Sequence, residues 1–293
     1  MHDHDETYTY ECRFLSPEHF DLLHEKFLEA FADYFIPFSL SKDLFRSHIV
    51  INAVDLASSM GCFVRGEMVG FSLNGLGLWN GRYTVYDAGT GVVPEFRRRG
   101  VSRRMFEAMI PHFKDRGCEQ FLLEVITQNE PAIRLYEKLG FRKTRKLLLL
   151  ECSDRTRLPA ASANGPSIRE IDVPDLASLQ KLWDGSTSWQ NSVEAIARSP
   201  QTKTILGAFD GEECVGYIAY SRTFGRIAQL AVAPERRHQG IASRLVAEMN
   251  AGTPDDKHLQ VINLDSNIAE AVRFFTGLGF LEKLAQFEMV RDL

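Results

Sequence analysis

Between Val101 and Phe113 the apolar side chains Val101, Met105, Met109 and Phe113 recur at every fourth position, with Ser102, Arg103, Arg104 and Glu107 among the polar ones between them. That period lays one apolar stripe along a helix. Ile241, Leu245 and Met249 repeat it farther along. Elsewhere the chain is built of short apolar runs separated by turn residues. Gly61–Val64 and Met68–Leu73 flank Arg65-Gly66-Glu67, and Thr204–Phe209 and Cys214–Tyr220 flank Asp210-Gly211, each pair predicting a β-hairpin. Strands are predicted at Thr84–Val93 and Arg226–Ala233, before the two helices, and at Phe121–Ile126 and Leu259–Leu264, after them. A short helix follows each of the latter, the first with Asn129 as its N-cap and Pro131 in its first turn. Pro111 is expected to shorten or kink the first long helix. Strands joined both by hairpins and by helices predict an α/β unit (α+β in its mixed central sheet).

The unit is written twice. Val93-Pro94-Glu95-Phe96-Arg97-Arg98-Arg99-Gly100-Val101-Ser102-Arg103 recurs as Ala233-Pro234-Glu235-Arg236-Arg237-His238-Gln239-Gly240-Ile241-Ala242-Ser243, displaced by 140 residues from Gly100 to Gly240. Leu139-Gly140-Phe141 recurs as Leu278-Gly279-Phe280. Two long copies in 293 residues predict two tandem domains. The stretch Ser153–Pro166 is small, polar and marked by two prolines, and reads as a linker. The expected division is therefore residues 1–152, a linker at 153–166, and residues 167–293.

Composition removes several classes. A hydrophobic share of 44% with 25% charged residues excludes a mostly disordered chain. Thirty-four basic residues against 39 acidic ones, a net charge of −5, speak against nucleic acid as a partner. No apolar run is long enough to cross a bilayer, so no membrane partner is expected. The acidic start Met1-His2-Asp3-His4-Asp5-Glu6 is unlike a secretory leader, and five scattered cysteines without a C-x-x-C pair read as free thiols. Both point to a cytoplasmic protein. No metal site is expected: His2, Asp3 and His4 are read as part of a terminal tail.

The segment around Gly100 carries the chemistry. Where a strand turns into a helix, the first helical amides lack internal partners and lie at the positive end of the helix dipole. A glycine there keeps Cβ out of the way of an anion, and flanking arginines bring charge-assisted donors. Arg97, Arg98, Arg99, Arg103 and Arg104 crowd this turn. The design is a phosphate or diphosphate cradle. It is neither a nucleotide P-loop, whose lysine motif is absent, nor a dinucleotide fingerprint, because Gly89-Thr90-Gly91 lacks the third glycine.

Together with Val92-Val93-Pro94-Glu95, Arg97 and Gly100, then Asn129, Ala132-Ile133, Leu135-Tyr136 and Gly140-Phe141, the pattern resembles the GNAT superfamily of acyl-CoA-dependent N-acyltransferases. The second copy resembles it through Val232-Ala233-Pro234-Glu235, Arg237, Gly240, Ala242, Asn267, Ala271-Val272, Phe274-Phe275 and Gly279-Phe280. The resemblance covers roughly the C-terminal half of each copy. It implies two GNAT-like domains and acetyl-CoA (coenzyme A) as cofactor, with diphosphate on the turn, pantetheine along the preceding strand and thioester between two splayed strands. The cofactor-binding residues implied are Val92, Val93, Arg97, Arg98, Arg99, Gly100, Val101, Ser102, Arg103 and Asn129. In the second copy they are Val232, Arg237, His238, Gln239, Gly240, Ile241 and Ala242. Ser102 departs from the small Gly or Ala usual in the family.

The copies differ where protons must move. The resemblance makes Tyr136 the general acid and Asp87 or Glu124 the base; Asp87 could equally bond the Ala88–Gly91 turn, and Tyr136 could be a core aromatic. The second copy has Phe275 opposite Tyr136 and Ile227 opposite Asp87, and no acid among Gln260–Asn263 opposite Glu124. The first copy is thus expected to transfer acetyl groups to the primary amine of a small molecule, and the second to be degenerate or regulatory. Protein N-termini or lysines as acceptors, or a non-catalytic acyl-CoA sensor, are the alternatives. The acceptor pocket is expected from Asp21–Asn52 and Val173–Ser199, with Trp79, Leu76 and Leu78 as possible lining, and the Arg142–Lys146 charge run is read as a solvated face. Oligomeric state has no sequence signature here.

Overall fold

The computed structural model describes residues 8–33, 40–160 and 165–293; His2, Asp3 and His4 lie outside them. In chain order the elements are β1 (Glu11–Phe14), α1 (Phe20–Ala30), α2 (Lys42–Ile51), β2 (Met60–Val64), β3 (Glu67–Trp79), β4 (Arg82–Val92), α3 (Val101–Asp115), β5 (Gln120–Ile126), α4 (Glu130–Lys138) and β6 (Arg142–Cys152). They continue with β7 (Ser167–Glu170), α5 (Val173–Leu176), α6 (Val193–Arg198), β8 (Thr204–Asp210), β9 (Glu213–Ser221), β10 (Arg226–Val232), α7 (Ile241–Gly252), β11 (Leu259–Asp265), α8 (Ala269–Gly277) and β12 (Leu281–Asp292). The order anticipated from the repeats is present in both copies, and the class is the expected mixed α/β.

The chain divides into two compact units, one of Met1–Thr144 with Glu288–Leu293, the other of Arg145–Phe287. This differs from a division at the linker. Strand pairing, which composition does not reveal, underlies these units: β6 pairs with β11 from Leu147 to Cys152, inside unit 2. The last residues of β12 complete unit 1, where Leu293 N–H donates to Glu119 O at 3.0 Å and Asp292 accepts from Arg82 and Arg142.

In unit 1 the strands run β1-β2-β3-β4-β5 and then the end of β12. The first four are antiparallel neighbours, and β4 and β5 are parallel. One face carries α1 and α2 through Leu23, Phe27, Phe45, Phe71 and Leu73. The other carries α3, whose predicted stripe Val101, Met105, Met109 and Phe113 is buried throughout. Phe106 of α3 sits 5.5 Å from Phe121, 5.5 Å from Tyr136 and 5.9 Å from Phe141. Burying such a ring is worth several kcal/mol, which pins α3 and α4 to the sheet. Pro111 does not shorten α3, which continues to Asp115.

In unit 2 the order is β6-β11-β10-β9-β8-β7, with β10 and β11 parallel. Ile241, Leu245 and Met249 of α7 pack with Ile218, Tyr220, Leu259 and Phe280. The repeated Leu-Gly-Phe closes α4 and α8 alike: Gly140 and Gly279 take φ of +86° and +88°, a conformation that glycine alone adopts without strain.

Candidate cofactor and acyl-transfer site

Both turns have the same backbone. Gly100 caps α3 with φ +78°, and Gly240 caps α7 with φ +79°; Arg98 and His238, two residues earlier, take φ +62° and +60°. Arg104 N–H closes onto Gly100 O at 3.1 Å and Arg244 N–H onto Gly240 O at 3.0 Å. The amides of Val101, Ser102 and Arg103, and of Ile241, Ala242 and Ser243, are thus first-turn donors. A Cβ placed at Gly100 or Gly240 would have no heavy atom within 4 Å. The cradles are open, and the donor set fits a diphosphate.

The arginines are less available than their number suggested. Arg97 makes two bonds to the Asp33 carboxylate, at 2.7 and 2.6 Å, and others to Ala30 O and Val92 O. Arg237 does the same work in unit 2, bonding Asp184 at 2.9 Å and Val232 O at 3.1 Å. Arg103 pairs with Glu107, and Arg99 stacks over Tyr8 and Phe96. Arg97 and Arg237 therefore brace the turn through these bonds.

Beyond the turn, both sheets fork. Pairing of β4 with β5 ends at Asp87 and Leu123, although both strands continue. Pairing of β10 with β11 ends at Ile227 and Val261. Each fork has a bulge beside it: the register of β4 against β3 skips Ala88, and that of β10 against β9 skips Ala228. A bulge bends its strand away from a neighbour. The two splayed strands implied by the family resemblance are present in both units.

In unit 1 the fork carries a distinct set of groups. Tyr86 Oη donates to Glu124 Oε2 at 2.8 Å. Successive residues of a strand face opposite sides, so Glu124 shares the Tyr86 side and Asp87 points the other way. Asp87 is 7% exposed and accepts from Gly89 N–H at 2.9 Å and Thr90 Oγ1 at 2.8 Å. Burial raises its carboxyl to about 6 against those two bonds. It thus holds the Ala88–Gly91 stretch, and the two candidate bases are not one carboxylate pair. Tyr136 lies within the α3–α4 layer, edge-on to Phe106 and Phe141. Asn129 accepts from Ala132 N–H at 3.3 Å as the expected N-cap.

Unit 2 opens a cavity of about 670 Å³ at its fork. Of the residues expected to hold cofactor there, Val232, Arg237, His238, Gly240, Ile241 and Ala242 line it. Gln239 instead turns its amide to Glu235 O. Asn263, opposite Glu124 in the repeat, adopts φ +57°, donates to Ser188 Oγ at 3.3 Å and accepts from Gln286 at 2.9 Å. Phe275, opposite Tyr136, is a buried ring. The N-cap of α8 is Ile268, so Asn267 is not the structural counterpart of Asn129.

Three features escaped the sequence reading. His48 of α2 donates from Nε2 to the bulged Ala88 O at 2.9 Å and accepts from Asn52 at 3.2 Å, and burial lowers its pKa so that it stays neutral. A bond between residues 40 positions apart leaves no local signal. Arg145, read as solvated, is 9% exposed and bonds Ser186 O, Thr187 O and Asp265, fixing part of the unit 2 cavity rim. Trp79 stands at the tip of the β3–β4 hairpin, opposite Arg82, at the end of β4 remote from the fork. Among the described residues, no cluster of His, Cys, Asp or Glu is placed to hold a metal, and no helix is long and apolar enough to cross a membrane.

Comparison with known proteins agrees with this geometry. Residues 17–141 match the model of the "Acetyltransferase (GNAT) family", and residues 180–290 that of the "Acetyltransferase (GNAT) domain". A stretch of 57 residues, 19% of this chain and 34% of the relative, is 44% identical to an N-alpha-acetyltransferase of Saccharolobus solfataricus. Another of 86 residues, 26% of this chain and 49% of the relative, is 34% identical to a thialysine N-epsilon-acetyltransferase of Sus scrofa. The chain thus spans about a third to a half of the length of these relatives. Over nearly the whole length, the fold is similar to a tandem GNAT protein from the clavulanic acid biosynthesis pathway, with a TM-score of 0.67, 15% identity, and coverage of 97% of this chain and 98% of that one. With both family matches falling on forked sheets that carry open glycine turns, the chain belongs to the GNAT acetyltransferase family as a tandem of two such domains, and the cofactor of that family is acetyl-CoA.

Proposed function

We propose that unit 1 transfers an acetyl group from acetyl-CoA to the primary amine of a small molecule by direct attack, and that unit 2 binds a second acetyl-CoA without turning it over. The contrast at the two forks carries this reading: Glu124 with Tyr86, and Tyr136, in one copy; Asn263 and Phe275 in the other. The bound cofactor supplies an acetyl thioester already activated toward amines. An alkyl amine of pKa about 10.4 is almost wholly protonated at pH 7, so a base is needed. Glu124 faces the side of α1 and α2, where the acceptor is expected, and takes that proton. Tyr136, in the α3–α4 layer, returns one to the departing sulfur. Acid and base thus act from different sides of the gap between β4 and β5. Asp87 and His48 hold the bulge at Ala88 in shape, and the α3 amides hold the diphosphate.

The cavity of about 670 Å³ in unit 2 is of the size that takes a small ligand, and its lining includes His238 and the turn from Gly240 to Ser243. Its fork offers amides where unit 1 offers an acid, which favours binding over proton transfer. A net charge of −5 favours a cationic acceptor, and five unbridged cysteines suit the cytoplasm. Free-thiol release from acetyl-CoA across a panel of polyamines, amino sugars, amino acids and peptides tests the proposal. Release with small amines supports it. Release with peptides alone would move the acceptor class to proteins, and binding without release for any amine would leave a sensor.

A further inference from the structure

Cys12 of β1 and Cys62 of β2 are direct cross-strand partners in an antiparallel pair. Partners of this kind have Cα atoms about 4.5–5.5 Å apart, within the span of about 4.4–6.8 Å that a disulfide bridges. Both are free thiols; Cys62 is fully buried and Cys12 only partly. No other cysteine is in register with a second one: Cys152 faces Leu259 and Cys214 faces Phe209. β1, four residues long, stands at the sheet edge beside β2, so the pair ties an edge strand to the sheet.

We infer that Cys12 and Cys62 form an oxidisable dithiol that hydroperoxides close to a disulfide, Cys12 attacking and Cys62 resolving. The two thiols have different surroundings. A hydrogen bond with Cys62 and then the charge of Arg104 lower the Cys12 thiol, whereas that hydrogen bond with Cys12, together with burial, raises that of Cys62. Burial raises Cys118, Cys152 and Cys214 too. A thiolate is the nucleophile, and Cys12 is the solvent-reachable member of the pair beside a fully buried Cys62, so Cys12 reacts first. Its sulfur attacks one peroxide oxygen and the O–O bond breaks, giving a sulfenic acid and, after protonation, water or an alcohol. The Cys62 sulfur then attacks the Cys12 sulfur; the S–S bond forms, the S–O bond breaks and water leaves with the Cys62 proton. Two thiols lose two electrons, and one hydroperoxide gains them.

The full-length reduced protein, treated with stoichiometric hydrogen peroxide, tests this by intact mass and non-reducing peptide mapping. The expected result is a loss of two hydrogens, a single cross-linked pair of peptides holding Cys12 and Cys62, and reversal by dithiothreitol. Limited alkylation with iodoacetamide at pH 7 should label Cys12 about tenfold faster than Cys214. In Cys62→Ser, dimedone should trap a sulfenic acid on Cys12. Absence of the cross-link from the wild-type map, a bridge between other cysteines, or labelling of Cys12 no faster than Cys214 would overturn the inference. The wild-type map stands even where a variant fails to fold.

Discussion

The Tyr86 hydroxyl donates to the Glu124 carboxylate at 2.8 Å, one residue past the point where β4 and β5 stop pairing. The bond fixes a carboxylate at the mouth of a gap that two diverging strands create. Glu124→Gln keeps an oxygen to accept from Tyr86 but cannot take a proton. It should lower kcat by about 10²–10⁴, the usual worth of a positioned base, with the acetyl-CoA dissociation constant unchanged. Steady-state thiol release beside calorimetric titration of acetyl-CoA separates the two effects.

Tyr136→Phe preserves the ring contacts with Phe106 and Phe141 and removes only the hydroxyl. The second copy already has the phenylalanine, at Phe275. Turnover should fall at least about tenfold with little change in cofactor affinity. Unchanged turnover removes Tyr136 from the mechanism.

Asp87 gives a pH signature of definite sign. Its folded pKa, raised to about 6 from 3.8, means that the folded state holds a proton the unfolded chain has released. Its contribution is fully present below pH 3.8 and is lost as pH rises through about 6. Asp87→Asn keeps an oxygen to accept from Gly89 N–H and turns its NH2 to donate to Thr90 Oγ1, without the charge. Relative to the wild type it should gain stability between pH 4 and pH 7, by up to about 3 kcal/mol. Thermal midpoints of both proteins across that range test this; parallel curves would contradict it.

Arg145 is the strongest structural prediction in unit 2. Arg145→Met leaves Asp265, 16% exposed, without its cation, and the Ser186 and Thr187 carbonyls without their donor. Breaking such a pair costs about 3 kcal/mol. A lower thermal midpoint, together with weaker acetyl-CoA binding at the remaining site of a unit 1 turn variant, is the expected outcome.

The repeats made the duplication legible, because each repeated residue has a local duty. Gly100 and Gly240 must adopt positive φ before a helix, and Gly140 and Gly279 after one. The alternating and fourfold apolar patterns likewise placed most of β2 through α4 and β8 through α8 to within a few residues, but ended β3 at Leu73, whereas its pairing with β4 carries it on to Trp79 through the glycine-punctuated stretch. What stayed hidden depends on partners far along the chain. Nothing beside Ala88 announces the His48 bond, and nothing in Arg142–Lys146 announces that its third positive charge is buried against a carboxylate 120 residues away. The allocation of β6 and β12 between units follows from strand pairing, whereas the linker composition marks only where the chain is irregular. The division of Asp87 and Glu124 onto different faces needed the register of β4 and β5.

The division of labour between the copies is tested most directly at the two cap glycines. Gly100→Asp and Gly240→Asp each place a carboxylate on a turn whose amides are to meet a diphosphate, at a φ that Asp tolerates better than most residues. Thiol release and acetyl-CoA stoichiometry, measured together on both variants, give the answer. The account predicts that Gly100→Asp binds one acetyl-CoA and releases no thiol, while Gly240→Asp binds one and turns over as the wild type does. An inactive Gly240→Asp beside an active Gly100→Asp would contradict it.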